Sequence, residues 1–123
     1  MGWLRIDDRF ADDPDIIELG NEAAGAFVRL LAYCSKHATD GLIPRPYAAM
    51  IAREKTLKSL VSRGLILSAS RGEVFTVTGR RDSGRRHLDD VTVIAGYDSY
   101  FVPKYLHYNT SSEERARKAQ RGE

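Results

Sequence analysis

The stretch from Ile43 to Leu67, IPRPYAAMIAREKTLKSLVSRGLIL, constrains this chain most, because it reads as two short helices joined by a turn and followed by a strand. Pro46 suits the first helical position, where a missing N–H costs no hydrogen bond, and Tyr47, Met50 and Ile51 recur at the spacing of one buried stripe. In the second helix Leu57, Leu60 and Val61 fall at i, i+3 and i+4 and form one apolar face, while Gly64 can supply the left-handed residue that stops it. A step of about 100° per residue then turns Lys55, Lys58, Ser59 and Ser62 outward, with Arg63 at the edge. Cations and hydroxyls so placed suit phosphates and base edges. Any amphipathic surface helix also carries lysines outward, so the neighbouring chain has to decide.

After Gly64, Leu65 to Leu67 reads as a short apolar strand, Ser68 to Gly72 as a polar turn, and Val74 to Thr78 (VFTVT) as a second strand, which predicts a hairpin. Helix, helix, strand, turn, strand is the order of a winged helix-turn-helix. Beyond Thr78 the segment GRRDSGRRHLDD places Arg80, Arg81, Arg85 and Arg86 at the tip of an extended second hairpin. Its return strand is Val91 to Ala95, with Ser99 to Pro103 a further extended piece. Guanidinium groups match phosphate oxygens and the negative potential of a narrow minor groove, although a solvated loop has the same composition.

Upstream, Trp3 to Ile6 alternates like a short strand that would pair with the wing sheet, and Asp7 to Asp13 reads as a polar connector. Asp13 followed by Pro14 opens a short helix to Leu19, ended by Gly20, with Ile16, Ile17 and Leu19 expected in the core. Asn21 is expected to cap a longer helix to about Ala38, whose stripe is Ala24, Phe27, Leu31, Cys34 and Ala38, widened by Val28 and Leu30. The small run Ala23 to Ala26 would let another helix approach, and Asp40 and Gly41 close the following turn. The expected fold is therefore α+β, mainly α: a winged helix-turn-helix with a short N-terminal strand and an extended wing hairpin. It would occupy residues 1–109, with a wing insertion at about 72–97, and residues 110–123 would form a basic tail, an exposed helix or disordered.

The net charge of +2 conceals an asymmetry. Met1 to Asp40 holds four Lys/Arg against eight Asp/Glu, and the remainder holds fifteen against nine, so the two parts carry −4 and +6. The basic part is expected to face a polyanion and the acidic part water or a protein. Arg45 and Arg53 beside the paired helices, and Arg115, Arg117 and Lys118 in the tail, could add phosphate contacts. No apolar run approaches the roughly eighteen residues of a membrane span and the N-terminus lacks the order of a signal peptide, so a cytoplasmic protein is expected. The single cysteine, Cys34, fits a reducing compartment and is expected to be buried and inert.

His37, His87 and His107 are scattered, and no Gly-rich phosphate loop, nucleophile elbow or metal-ligand pattern is present. Neither catalysis nor a metal or cofactor is expected. The loop pairs Asp7/Asp8, Asp12/Asp13 and Asp89/Asp90 point adjacent carboxylates in different directions and are expected to stay solvated.

Four blocks carry a family resemblance: WLRIDDRFADDPDI, HATDGLIP, LKSLVSRGLI and YLHYNTSSEE. In this order they resemble phage and prophage winged-helix proteins, among them the N-terminal domain of actinobacterial phage replication initiators, over most of the chain except roughly residues 72–97. The resemblance implies double-stranded DNA binding, at a replication origin or as a small regulator, with Glu54 to Arg63 as the reading helix. The family's wing is usually short, whereas Arg80 to His87 lies in an apparent insertion. This chain also ends where initiators continue into a partner-binding region, which favours a stand-alone role. A homodimer is compatible with so small a reading helix. The alternative is a winged-helix interaction module that binds a host or phage protein through VIAGYDSYFVPKYLHY, where Tyr97, Tyr100, Phe101, Tyr105 and Tyr108 would either anchor a partner or close the core.

Overall fold

The computed structural model describes residues 3–78 and 90–108. A 3-10 helix over Asp8–Asp12 leads into α1 (Pro14–Leu19), α2 (Asn21–His37), β1 (Leu42–Pro44), α3 (Arg45–Ile51), α4 (Glu54–Ser62), β2 (Leu67–Ala69), β3 (Val74–Thr78), β4 (Asp90–Ile94), β5 (Ser99–Phe101) and α5 (Tyr105–Tyr108). The fold is α+β. Among the described residues, no helix is long and apolar enough to cross a membrane.

Helix α2 is the hub because its buried residues, Ala23, Ala26, Phe27, Leu30, Leu31, Cys34 and Ser35, recur every three or four positions and face the remaining helices. Asp13 starts α1 as expected, its carboxylate accepting from the Asp15 N–H, and Gly20 ends it at φ 93°. Helix α2 has no side-chain cap: Asn21 is its first helical residue and Gly20 occupies the capping position. Ala38 closes it in the left-handed conformation, exposed rather than on the core stripe, and Asp40 and Gly41 make the following turn at positive φ. The small run is used selectively, with Ala23 and Ala26 buried and Gly25 exposed.

Two strand expectations are corrected. Trp3 to Ile6 forms no strand; the Ser35 hydroxyl donates to the Trp3 carbonyl at 3.3 Å, so this segment lies against α2 instead of a sheet edge. Its Trp3 side chain is 87% exposed, and the supposed connector after it is the 3-10 helix, begun by an Asp7 carboxylate that accepts from the Arg9 N–H. The first predicted hairpin is also absent. Strands β2 and β3 do not pair with each other: β5 lies between β1 and β2, all antiparallel, and β3 pairs antiparallel with β4. The Ser70 carbonyl accepts from the Glu73 N–H with Gly72 at φ 90°, and this turn offsets β3 from β2. Phe101 in β5 takes the pairing positions opposite both Leu42 and Leu67 and is itself buried, which binds β2 to the body of the molecule.

The second predicted hairpin has its return strand where expected, in register Val74 with Ile94 and Val77 with Val91. Phe75, Val77, Val91 and Val93 turn toward the core, and the Phe75 ring stacks on Phe101 at 4.4 Å between centroids. Backbone bonds from Gly72 N–H to the Ala95 carbonyl and from Ala95 N–H to the Glu73 carbonyl, 2.7 and 2.9 Å, continue the β3–β4 ladder at the base of the hairpin. Ile16 is buried and Leu19 half-buried, but Ile17 is 64% exposed because a six-residue helix presents only one face to its neighbour.

Candidate nucleic-acid interface

Helices α3 and α4 meet through Ala52 and Arg53, both extended, with the Ala52 N–H donating back to Ala48 to finish α3. On α3 the buried residue is Ala48; Met50 is 79% exposed and Tyr47 is exposed too, so the expected stripe is corrected to Ala48 with Ile51 half-buried beside it. Pro46 is the second residue of a helix that begins at Arg45. Helix α4 follows its periodicity closely: Leu57 and Leu60 are buried, Val61 is half-buried, Thr56 joins them, and Gly64 at φ 72° ends it.

This burial presents Lys55, Lys58, Ser59 and Ser62, with Glu54, along one shallow concavity of the outer surface. The Ser59 hydroxyl donates to the Lys55 carbonyl at 3.0 Å and the Ser62 hydroxyl to the Ser59 carbonyl at 2.7 Å. Their protons are thereby occupied within the helix, which leaves the two hydroxyl oxygens as acceptors. Lys58 Nζ lies 3.2 Å from a Glu54 carboxylate oxygen, one turn earlier on the same helix. Glu54 thus adds a carboxylate to a face otherwise made of cations and hydroxyls, and its first-turn position favours it at the positive end of the helix dipole.

The arginines assigned to the same interface are directed elsewhere. Arg63 Nη1 donates to Asp15 at 3.0 Å and to Glu18 at 2.6 Å, both on α1. Arg53 donates through Nε and Nη2 to the two carboxylate oxygens of Glu22 on α2, at 2.7 and 2.6 Å. Arg45 donates to the Ser68 hydroxyl and stands 5.5 Å over the Tyr100 ring, across the three-stranded sheet. The Arg63 hydrogen bond and charge hold the Glu18 carboxyl below its usual range, and the Arg53 hydrogen bond does the same for Glu22. No local sequence signal could have found these pairs, whose members stand 31, 45 and 48 positions apart.

Arg80, Arg81, Arg85, Arg86, Arg115, Arg117 and Lys118 lie outside the described residues. Cys34 is fully buried, and burial pushes its thiol up to about 12. Among the described residues no three His, Cys, Asp or Glu side chains gather as a metal site. A separate cleft of about 480 Å³ has an apolar floor of Ile6, Phe10, Ile16, Phe27, Leu31 and Leu65, and none of the cations assigned to DNA lines it. Comparison of the chain with protein-family models, with curated proteins and with solved structures gives no match.

Proposed function

We propose that this chain is a double-stranded DNA-binding winged helix-turn-helix of phage or prophage type, a small transcription regulator or replication-associated factor whose α4 enters the major groove. The observation that carries this reading is the grouping of Lys55, Lys58, Ser59 and Ser62 on the outer face of α4 while Leu57 and Leu60 fix the opposite face in the core. The element order supports it: a long helix, an edge strand, two short helices, then a strand path that returns through the paired strands β3 and β4. The sequence places Arg80, Arg81, Arg85 and Arg86 between β3 and β4, where they would grip the backbone or minor groove beside the α4 contact.

The test is a fluorescence-anisotropy titration with random-sequence duplex DNA at two salt concentrations, repeated with DNA from upstream of the protein's own gene. Because phosphate contacts release counterions, the logarithm of affinity should fall linearly with the logarithm of salt, and a sequence-reading helix should prefer one duplex. Absence of binding at low salt, or affinity indifferent to salt, overturns the reading.

A second reading, a module that binds a host or phage protein, draws on a surface aromatic cluster. Tyr33 and Tyr47 rings lie 4.2 Å apart, Tyr33 and His37 rings 4.4 Å apart, and Tyr47, Tyr97 and Met50 are exposed. The C-terminal aromatics named for this role contribute less, since Phe101 and Tyr105 are core. A stoichiometric protein retained from nuclease-treated host lysate, and lost on Tyr47→Ala/Met50→Ala, would favour this reading.

A further inference from the structure

Both ends of α4 are tied to other helices by arginine–carboxylate contacts of good geometry. At its start the planar Arg53 guanidinium meets Glu22 of α2 through two parallel N–H···O contacts. At its end Arg63 bridges Asp15 and Glu18, which lie one turn apart on α1. Bidentate and bridging arginines fix orientation as well as distance, unlike a lysine point charge. The Arg63 side chain is only 33% exposed, so most of it is laid down against the protein. These three carboxylates all belong to the acidic first forty residues, so part of the charge asymmetry of the chain is spent internally.

We infer that Arg53 and Arg63 are positioning residues that clamp α4 against α1 and α2, and that they set the pitch of its outer face without themselves contacting phosphate. This rests on the reading of α4 as the DNA-reading helix. The clamps act on the two ends because each end of a nine-residue helix has few neighbours of its own to define it, whereas Leu57 and Leu60 hold the middle. Removing a clamp lets an end tilt and takes Lys55 or Ser62 out of register with the groove.

The two roles make opposite predictions when the carboxylates are removed. An arginine that contacts phosphate would be released by Asp15→Asn/Glu18→Gln or by Glu22→Gln, and DNA would bind more tightly. An arginine that positions α4 loses its anchor, and binding weakens just as it does for Arg63→Gln or Arg53→Gln. Affinity for random-sequence duplex DNA should therefore fall about three- to tenfold in the carboxylate and arginine variants alike. Reversal of one pair, Glu22→Arg/Arg53→Glu, should recover most of the affinity.

Hydrogen–deuterium exchange of the same proteins without DNA reads the clamp directly: amides at the ends of α4 should exchange about threefold faster in each single-side variant and return toward wild type in the reversal. Tighter DNA binding by the carboxylate variants overturns the inference, as does α4 exchange that no variant changes. If wild type binds no DNA, the exchange result alone decides the clamp and only the functional reading fails.

Discussion

A methyl group added to Gly41 would stand 2.9 Å from the Val102 carbonyl oxygen and 3.1 Å from the Phe101 ring. The two residues are already joined, since the Val102 N–H donates to the Gly41 carbonyl at 2.8 Å. Gly41 also sits at φ 105°, in the region that side-chain-bearing residues avoid. The turn after α2 is thus packed directly against the end of β5, backbone on backbone.

Gly41→Ala should consequently cost about 3 kcal/mol, the left-handed penalty plus a contact that neither backbone can relieve. Gly64→Ala shares the positive φ, at 72°, but meets nothing within 4 Å, and should cost only the conformational part, about 1 kcal/mol. Urea denaturation of the two variants side by side checks the difference.

Leu60→Ala should lower stability by about 2–5 kcal/mol, because Leu60 is wholly buried between α4 and its supports and its loss leaves a cavity. Met50→Ala, one helix earlier and 79% exposed, should change it by less than about 0.5 kcal/mol. Equal effects in thermal melts would contradict the assignment of the two faces.

If α4 reads DNA as proposed, Glu54→Gln on its outer face should strengthen binding about two- to fivefold, since it removes a negative charge facing the phosphates and frees Lys58. Lys55→Ala/Lys58→Ala should weaken it and reduce the salt slope by about two, one for each phosphate contact. Anisotropy at several salt concentrations measures both, and a slope unchanged in the double variant would remove these lysines from the interface.

Glu18 and Glu22 titrate below the ordinary glutamate value of 4.5 in the folded protein. A lowered folded pKa means the unfolded chain takes up these protons first, so the stabilisation is present above pH 4.5 and is lost as pH falls through the folded values. The stability difference between wild type and Glu18→Gln/Glu22→Gln should therefore be constant near neutrality and shrink below that point. Both carboxylates are solvent-exposed, so the effect is small and should shrink further with added salt. Melting temperatures from pH 7 down to 3 test the sign.

Cys34 offers a clock for unfolding. Its thiol is buried and poorly ionised, so labelling by a thiol reagent at pH 8 should be suppressed at least about a thousandfold relative to a free cysteine and should proceed only through opening of the core. Fast labelling in buffer without denaturant would show that α2 is not packed as described.

Much of this architecture can be read from local patterns. Helix α4 declares itself by Leu57, Leu60 and Gly64, α1 by the Asp13–Pro14 pair, and the β3–β4 hairpin by its β-branched residues. The failures occur where a partner distant in sequence decides. Leu67 looked ready to fold back on Val74 and instead pairs with Phe101, because β5 offers it a buried neighbour. Trp3 to Ile6 had the alternation of a strand and found a hydrogen bond from Ser35 in place of a sheet. The outward lysines and serines of α4 follow from helical geometry alone. The fates of Arg53 and Arg63 depend on carboxylates that no spacing rule connects to them.

Among the described residues, the Phe75–Phe101 stack couples the β3–β4 hairpin to β5, and the Gly72–Ala95 and Ala95–Glu73 backbone bonds close its base. With β5 held between β1 and β2 and stacked on Phe75, a change of chain length between Thr78 and Asp90 should leave the register of β5 and the seat of α4 as they are. If that interval carries a binding preference, grafting it from one homologous chain to another should transfer the preference while leaving the folding of the host scaffold as it was.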